Sequence, residues 1–379
     1  MNMKDRAKIC IVVGTRPGII KMSPLIRECQ KREISFFVLH TGQHYSPEMD
    51  DVFFKDLELK LPEFHLKNIK NYETHGTKTA MMIMGTEEVL LKTNPEVVLV
   101  CGDANTNLAA ALAARKLHII VGHVESGLRS NDWRMPEEHN RVIMDHICEL
   151  LFAPTPQAAE NLRKDNVRGK IVVTGNTIVD AVWQNIKIAK KKSNILSRLK
   201  LKQKDYFLMT SHREENVDNP EILSDIIDSA EAVACTFGKE IIFPIHPRTK
   251  KRIEEFGLTD KLYYTKGIRV IEPIGYLDFL VLLEQSSLVL TDSGGIQEEA
   301  CILKIPCVTL RENTERPETV AVGANRIAGT KPDSVVTAVS EMIDTPRNWN
   351  NPFGDGKAAK RIIDEVERVL KGDKSGLPC

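Results

Sequence analysis

Short apolar runs rich in β-branched residues alternate along this chain with stretches that are apolar at helical spacing. Residues 8–13 (KICIVV), 34–39 (ISFFVL), 96–101 (EVVLVC), 118–121 (HIIV) and 170–173 (KIVV) read as buried parallel strands. Between them lie amphipathic stretches such as 105–117 (NTNLAAALAARKL), rich in alanine. The rhythm restarts at 206–210 (YFLMT), 240–245 (EIIFPI), 269–271 (RVI), 287–291 (SLVLT) and 306–310 (PCVTL). Strand–helix repetition in two blocks predicts an α/β protein of two Rossmann-like, doubly wound domains, residues 1–178 and 179–356. The break falls near TGNTIVDAV (174–182). A lysine-rich stretch follows, KIAKKKSNILSRLKLKQK, which reads as a solvated helix and loop. In the tail, 357–379, residues 357–371 (KAAKRIIDEVERVLK) predict an amphipathic helix with Ala358, Ile362, Val366 and Leu370 near one face. Such a helix can pack on its own domain or cross back to the first.

Composition narrows the class. A chain of 379 residues is too long for one ordinary core and suits two domains. Lys+Arg and Asp+Glu both number 52, so net charge supplies no attraction for nucleic acid or an anionic membrane, and neither is expected as a partner. The eight cysteines form no CxxC pair; Cys10, Cys101 and Cys307 sit in strand-like runs and read as small core residues of a protein in a reducing compartment. The opening MNMKDRAKIC has no signal-peptide core, and no apolar run approaches the roughly 18 residues of a membrane span, so a soluble, cytoplasmic protein is expected.

The candidate chemistry lies where doubly wound sheets bind ligands, at the carboxyl ends of strands. GTRPGIIK (14–21) follows the first strand. It is not the GxGxxG fingerprint, so no dinucleotide cofactor is expected. It offers two cations instead, Arg16 and Lys21, at a loop–helix junction with Pro17 placed for the first helical position. Asp103 follows the strand 96–101, where a carboxylate can cap the helix starting near Ala104 or serve chemistry. The strand 118–121 runs into GHVESGLRSNDWRMPEEHNR (122–141), which crowds Glu125, Asp132, Glu137, Glu138, His123, His139 and three arginines into twenty residues. Its histidines lack H-x-x-x-H spacing and cysteine companions, so no metal is expected. In LVLTDSGGIQEEACIL (288–303) a strand meets Ser293-Gly294-Gly295 at the start of a helix whose Ile296, Ala300 and Leu303 are expected to face inward. Small residues there admit a phosphate to the backbone N–H groups, and a carboxylate at Glu299 suits both hydroxyls of a ribose, whereas Glu298 points off that face. RENTERPET (311–319) adds Arg311, Glu315 and Arg316. SHREEN (211–216) and PIHPR (244–248) place His212, Arg213 and His246 at two further strand ends.

These segments together resemble the non-hydrolysing UDP-N-acetylglucosamine 2-epimerases. The resemblance is carried in order by TRPGIIKMSPL, TGQHY, Gly102-Asp103, GHVESGLRS, PEEHNR, TGNTIVDA, SHREEN, TDSGGIQEEA and RENTERPET, over about residues 8 to 330. It implies two Rossmann-like domains of the GT-B type with the active site in the interdomain cleft, a C-terminal helix returning to the first domain, and a homodimer. It implies catalytic roles for Asp103, Glu125, Glu137 and His212. The UDP-sugar would be bound by Arg16, Lys21, Arg141, Arg213, His246, Ser293, Gly294, Gly295, Glu299 and Arg316. The implied reaction is C2 epimerisation of UDP-N-acetylglucosamine by elimination of UDP to 2-acetamidoglucal and re-addition; the alternative is a hydrolysing relative that releases N-acetylmannosamine and UDP. This chain departs from the family at Gly18-Ile19, Ala104, Ser126 and Glu214, none of them a catalytic position. In bacterial members a second UDP-sugar acts as activator. Gln43, His44, Arg213 and His246 are compatible with such a site, whereas LKNIKNYETHG (66–76) lacks the glutamine those members carry.

Overall fold

The computed structural model describes residues 7–43 and 47–378. The chain divides into two compact units, one of residues up to Gln184 together with those from Phe353 onward, the other Asn185–Pro352. Both crossings follow from local structure. The first lies inside one continuous helix, Thr177–Lys192, and the second precedes the closing helix Ala358–Leu370.

The first unit holds a parallel sheet in the order β3-β2-β1-β4-β5-β6-β7. Its strands are β1 (Ile9–Val13), β2 (Phe36–His40), β3 (Phe64–His65), β4 (Val97–Cys101), β5 (Ile120–Val124), β6 (Leu150–Ala153) and β7 (Lys170–Val173). The second unit repeats the plan as β10-β9-β8-β11-β12-β13. Here the strands are β8 (Tyr206–Thr210), β9 (Glu240–Pro244), β10 (Ile268–Ile271), β11 (Leu288–Thr291), β12 (Cys307–Thr309) and β13 (Asn325–Ile327). Each is a Rossmann-like domain, reversing direction of growth between its first and fourth strands, β1/β4 and β8/β11.

Burial explains the runs read as strands. β1 and β4 are buried at every position because helices cover both faces of a parallel sheet. The expectation of full burial fails at β7, which lies at a sheet edge and is only partly covered; β10, at the edge of the second sheet, is partly covered as well. Helix Asn105–Lys116 keeps its alanines 109–111, 113 and 114 almost wholly unexposed, because small side chains let both the sheet and helix His75–Thr93 approach it closely. Close approach also dictates Gly14, where a Cβ would sit within 2.3 Å of both the Thr106 and Thr41 hydroxyl oxygens. Cys10, Cys101 and Cys307 are buried, and burial pushes their thiols up from the ordinary range.

The closing helix Ala358–Leu370 buries Ala358, Ile362, Ile363, Val366 and Val369, while Leu370 is only half-buried. It lies against helix Arg16–Lys31 of the first unit. Arg32, capping that helix, reaches Asp364 at 2.7 Å and Glu367 at 2.8 Å. Asp180 accepts the N–H groups of Ala358 and Ala359 at 3.2 and 3.1 Å, satisfying donors that the start of a helix leaves open. Among the described residues no helix is long and apolar enough to cross a membrane.

Candidate active site

In the first unit the polar side chains collect at the carboxyl ends of β1, β4 and β5. After β1, Thr15 caps helix Arg16–Lys31 by accepting from Gly18 N at 3.2 Å. Arg16 thereby takes the first helical position and Pro17 the second, one place later than the sequence suggested. One turn on, Lys21 Nζ donates to Glu125 Oε2 at 2.7 Å. Glu125 directly follows β5, is buried, and holds φ at +66°. A β-carbon in that left-handed region is disfavoured, and such positions persist where surrounding structure over-determines them.

Asp103 does not cap the next helix. Ala104 occupies the cap position of Asn105–Lys116 and makes no side-chain bond, while the Asp103 carboxylate pairs with the Arg141 guanidinium. The reason is competition: a fixed cation outweighs a neutral N–H as partner for an anion. Arg141 lies on helix Pro136–Ile147, and its other nitrogen donates to Glu138 Oε2 at 2.7 Å. Glu138 also takes Ser130 N and Oγ, each at 2.9 Å, and Asn131 N at 3.2 Å. Burial opposes its charge, but these donors and Arg141 prevail and hold its carboxyl below the usual range. Glu137, on the same first turn, is half-buried. No hydrogen bond or ion pair joins its carboxylate to another described residue, so it stands apart from the cation-bound Asp103, Glu125 and Glu138. Gln43 spends its amide oxygen on Thr106 N and Oγ1, at 2.9 and 2.7 Å; His44 lies outside the described residues.

The second unit gathers its polar groups at the ends of β8, β9, β11 and β12. Ser293 occupies the cap position of helix Gly294–Ile302 without making a side-chain cap bond, and Gly294-Gly295 form the first turn. A Cβ on Gly294 would lie 3.4 Å from Glu315 Oε2 and 3.9 Å from Arg213 Nη2, so the turn opens onto charged groups. Arg213 reaches Glu315 at 3.1 Å. Burial works against the Glu315 carboxylate, yet Arg213, Arg311 and Arg316 together lower its pKa. Arg316 donates through Nε to buried Glu298 at 2.6 Å, and Tyr276 donates to Glu299 Oε1 at 2.9 Å. The expected inward face of this helix is corrected: of Ile296, Ala300 and Leu303 only Ala300 is buried, and Gln297 through Ile302 are all enclosed. His246 caps helix Pro247–Glu255 by accepting from Arg248 N at 3.2 Å. Burial and then the neighbouring His212 lower its pKa.

A family model described as UDP-N-acetylglucosamine 2-epimerase matches residues 27–367. The chain belongs to the UDP-N-acetylglucosamine 2-epimerase family. The UDP-N-acetylglucosamine 2-epimerase of Methanococcus maripaludis is 54% identical over 363 residues, covering 95% of this chain and 98% of that protein. A Pseudomonas aeruginosa relative, named UDP-2,3-diacetamido-2,3-dideoxy-D-glucuronate 2-epimerase, is 38% identical over 367 residues, covering 96% of this chain and all of its own. Among solved structures, Methanocaldococcus jannaschii UDP-GlcNAc 2-epimerase in complex with UDP-GlcNAc and UDP has a TM-score of 0.84 at 53% identity, over 95% of this chain and 99% of that one.

Against this 2-epimerase family background, the structure adds supporting residues that sequence reasoning passed over. Asp145 is fully buried and accepts from His123 Nδ1 at 2.8 Å, from Gly127 N at 3.1 Å and from Arg129 at 2.7 Å, fixing the loop that follows Glu125. Burial disfavours its charge, but His123 and Arg129 lower its pKa all the same. Asp292 plays the same part after β11. In both cases a signal existed: a lone Asp inside an apolar helix face (RVIMDHI) or directly after a buried strand (LVLTD) must have buried donors.

Proposed function

We propose that this protein interconverts UDP-N-acetylglucosamine and UDP-N-acetylmannosamine without releasing the sugar. The observation that carries the proposal is the pair of carboxylates at the ends of neighbouring strands β4 and β5, each held by its own cation: Asp103 by Arg141, Glu125 by Lys21. The C2 hydrogen of the sugar has no adjacent carbonyl to acidify it, so direct proton exchange is closed. Elimination is open. A carboxylate removes the C2 proton, the C1–O bond breaks, and its electron pair leaves with UDP. The former C–H pair becomes the C1–C2 double bond of 2-acetamidoglucal. A proton then arrives on the opposite face of C2, and a diphosphate oxygen re-forms the bond to C1.

This route asks for more than one acid–base group and for cations at the departing diphosphate. Asp103 and Glu137 are assigned to proton transfer, with Glu125 orienting or sharing it. Arg16, Lys21, His212 and Arg213 are assigned to the diphosphate, Glu299 to the ribose, and the turn Ser293-Gly294-Gly295 to phosphate oxygens. No nicotinamide or metal enters any step.

Incubation with UDP-N-acetylglucosamine in D₂O, followed by proton NMR, tests the reading. The expected product is the UDP-linked manno sugar with deuterium at C2. Free N-acetylmannosamine with UDP would identify a hydrolysing enzyme, and an untouched C2–H would overturn the proposal.

A further inference from the structure

Asp292 is fully buried at the end of β11. Its Oδ2 accepts four donors, all from the segment that leaves β8: Ser211 Oγ at 2.9 Å, His212 N at 2.9 Å, Arg213 N at 3.0 Å and Asn216 Nδ2 at 3.2 Å. Its Oδ1 receives no hydrogen bond from any described residue, a costly state for a buried anion. His212 Nδ1 lies 3.4 Å from that oxygen, just beyond an ordinary N–H···O bond. One carboxylate thus grips the His212 backbone and faces its ring. The His246 ring stands 5.3 Å from that of His212, centroid to centroid. His246 Nδ1 already accepts from Arg248 N, so the hydrogen of its neutral ring sits on Nε2.

We infer that Asp292 is a positioning residue for His212: it faces the Nδ1–H as a buried anion and so supports a second hydrogen on Nε2, which donates to the diphosphate of the nucleotide sugar. The inference rests on the proposed function for the identity of that ligand. It accounts for the orphaned oxygen, which gains its donor when His212 moves in by a few tenths of an ångström. It also separates the two imidazoles. His246 is committed to capping a helix, and His212 is the one backed by a buried anion. An oriented His with an anion behind it stabilises negative charge building on a leaving group.

Asp292→Asn preserves shape and can keep an amide oxygen at the Oδ2 position, but turns an NH₂ donor toward His212 Nδ1. Its kcat is expected to fall on the order of 10–100-fold, the scale on which groups orienting an imidazole act. UDP affinity by calorimetry should stay within about 3-fold of wild type. The deciding comparison is His212→Asn with and without Asp292→Asn. If Asp292 acts through His212, the second substitution changes kcat by less than about 2-fold in the His212→Asn background. A full further loss in the double variant would overturn the inference, whereas a wild type that leaves the C2–H of UDP-N-acetylglucosamine untouched would overturn the proposed function instead. A second measurement needs no Asp292 variant: in ¹⁵N-histidine-labelled wild type, with His212 assigned by its loss in His212→Asn, its ring should carry hydrogen on Nδ1. Hydrogen on Nε2 alone would overturn the inference.

Discussion

Glu125 combines two properties that can be separated by substitution. Its backbone sits at φ +66°, and its carboxylate, 3% exposed, is held 2.7 Å from the Lys21 ammonium. Glu125→Ala and Glu125→Gly both delete the ion pair, a charge-assisted hydrogen bond worth about 1.5–3 kcal/mol where it is mostly shielded from water. They differ in one methyl group. That β-carbon costs roughly 1–2 kcal/mol in the left-handed region, part of which glycine returns as the larger entropy of its unfolded chain. The glycine variant should therefore be the more stable of the two by about 1 kcal/mol, and melt about 2–4 °C higher for a domain of this size. Glu125→Gln keeps backbone and shape and removes only the charge. Its turnover in the D₂O exchange assay should drop by about 10²–10⁴-fold, the contribution of a positioned acid–base group, while UDP binding is retained. Coincident melting of the Ala and Gly variants would show that the backbone at 125 is unstrained. A Gln variant working near the wild-type rate would make Glu125 a packing group.

Two further outcomes follow from the supporting contacts. Burial raises Asp180 from 3.8 to about 6 despite its bonds to Ala358 and Ala359. Because the folded value lies above the unfolded one, its contribution to stability grows as pH falls from about 6 to 4 and is lost as pH rises through 6, a swing of about 2–3 kcal/mol. Denaturant titrations of wild type should show that slope and those of Asp180→Asn should not; matching curves would remove Asp180 as its source. Tyr276→Phe frees Glu299 from its 2.9 Å hydrogen bond and should weaken UDP about 3–10-fold with kcat unchanged. Affinity for a UDP analogue lacking both ribose hydroxyls should not change; a matching loss there would mean that Tyr276 acts elsewhere than through Glu299.

What was legible in the sequence, and what was not, divides along local and non-local physics. Strands such as KICIVV and EVVLVC declare themselves because burial on both faces demands continuous apolar runs. LLFA, which forms β6 in the interior of the first sheet, escaped notice: four residues without β-branching are equally at home in a helix, and only pairing with β5 and β7 makes them a strand. The same division governs the polar groups. Loop position marked Asp103 as a cap or an acid, and the choice depended on Arg141, thirty-eight residues away in sequence. Lys21 and Glu125 stand 104 residues apart, and no spacing rule joins them. Buried anchors such as Asp145 and Asp292 are the hardest class to read, because their function is to satisfy donors that only the folded chain brings together. Yet they are also the residues most tightly determined once the fold exists. A buried carboxylate with three or four donors has a single geometry available to it, and it passes that rigidity to the strand-end loops carrying Glu125 and His212. Chemistry at a strand end therefore needs two kinds of residue, one that motifs reveal and one that only packing does. A family resemblance locates the first kind, and the second decides how firmly it is held.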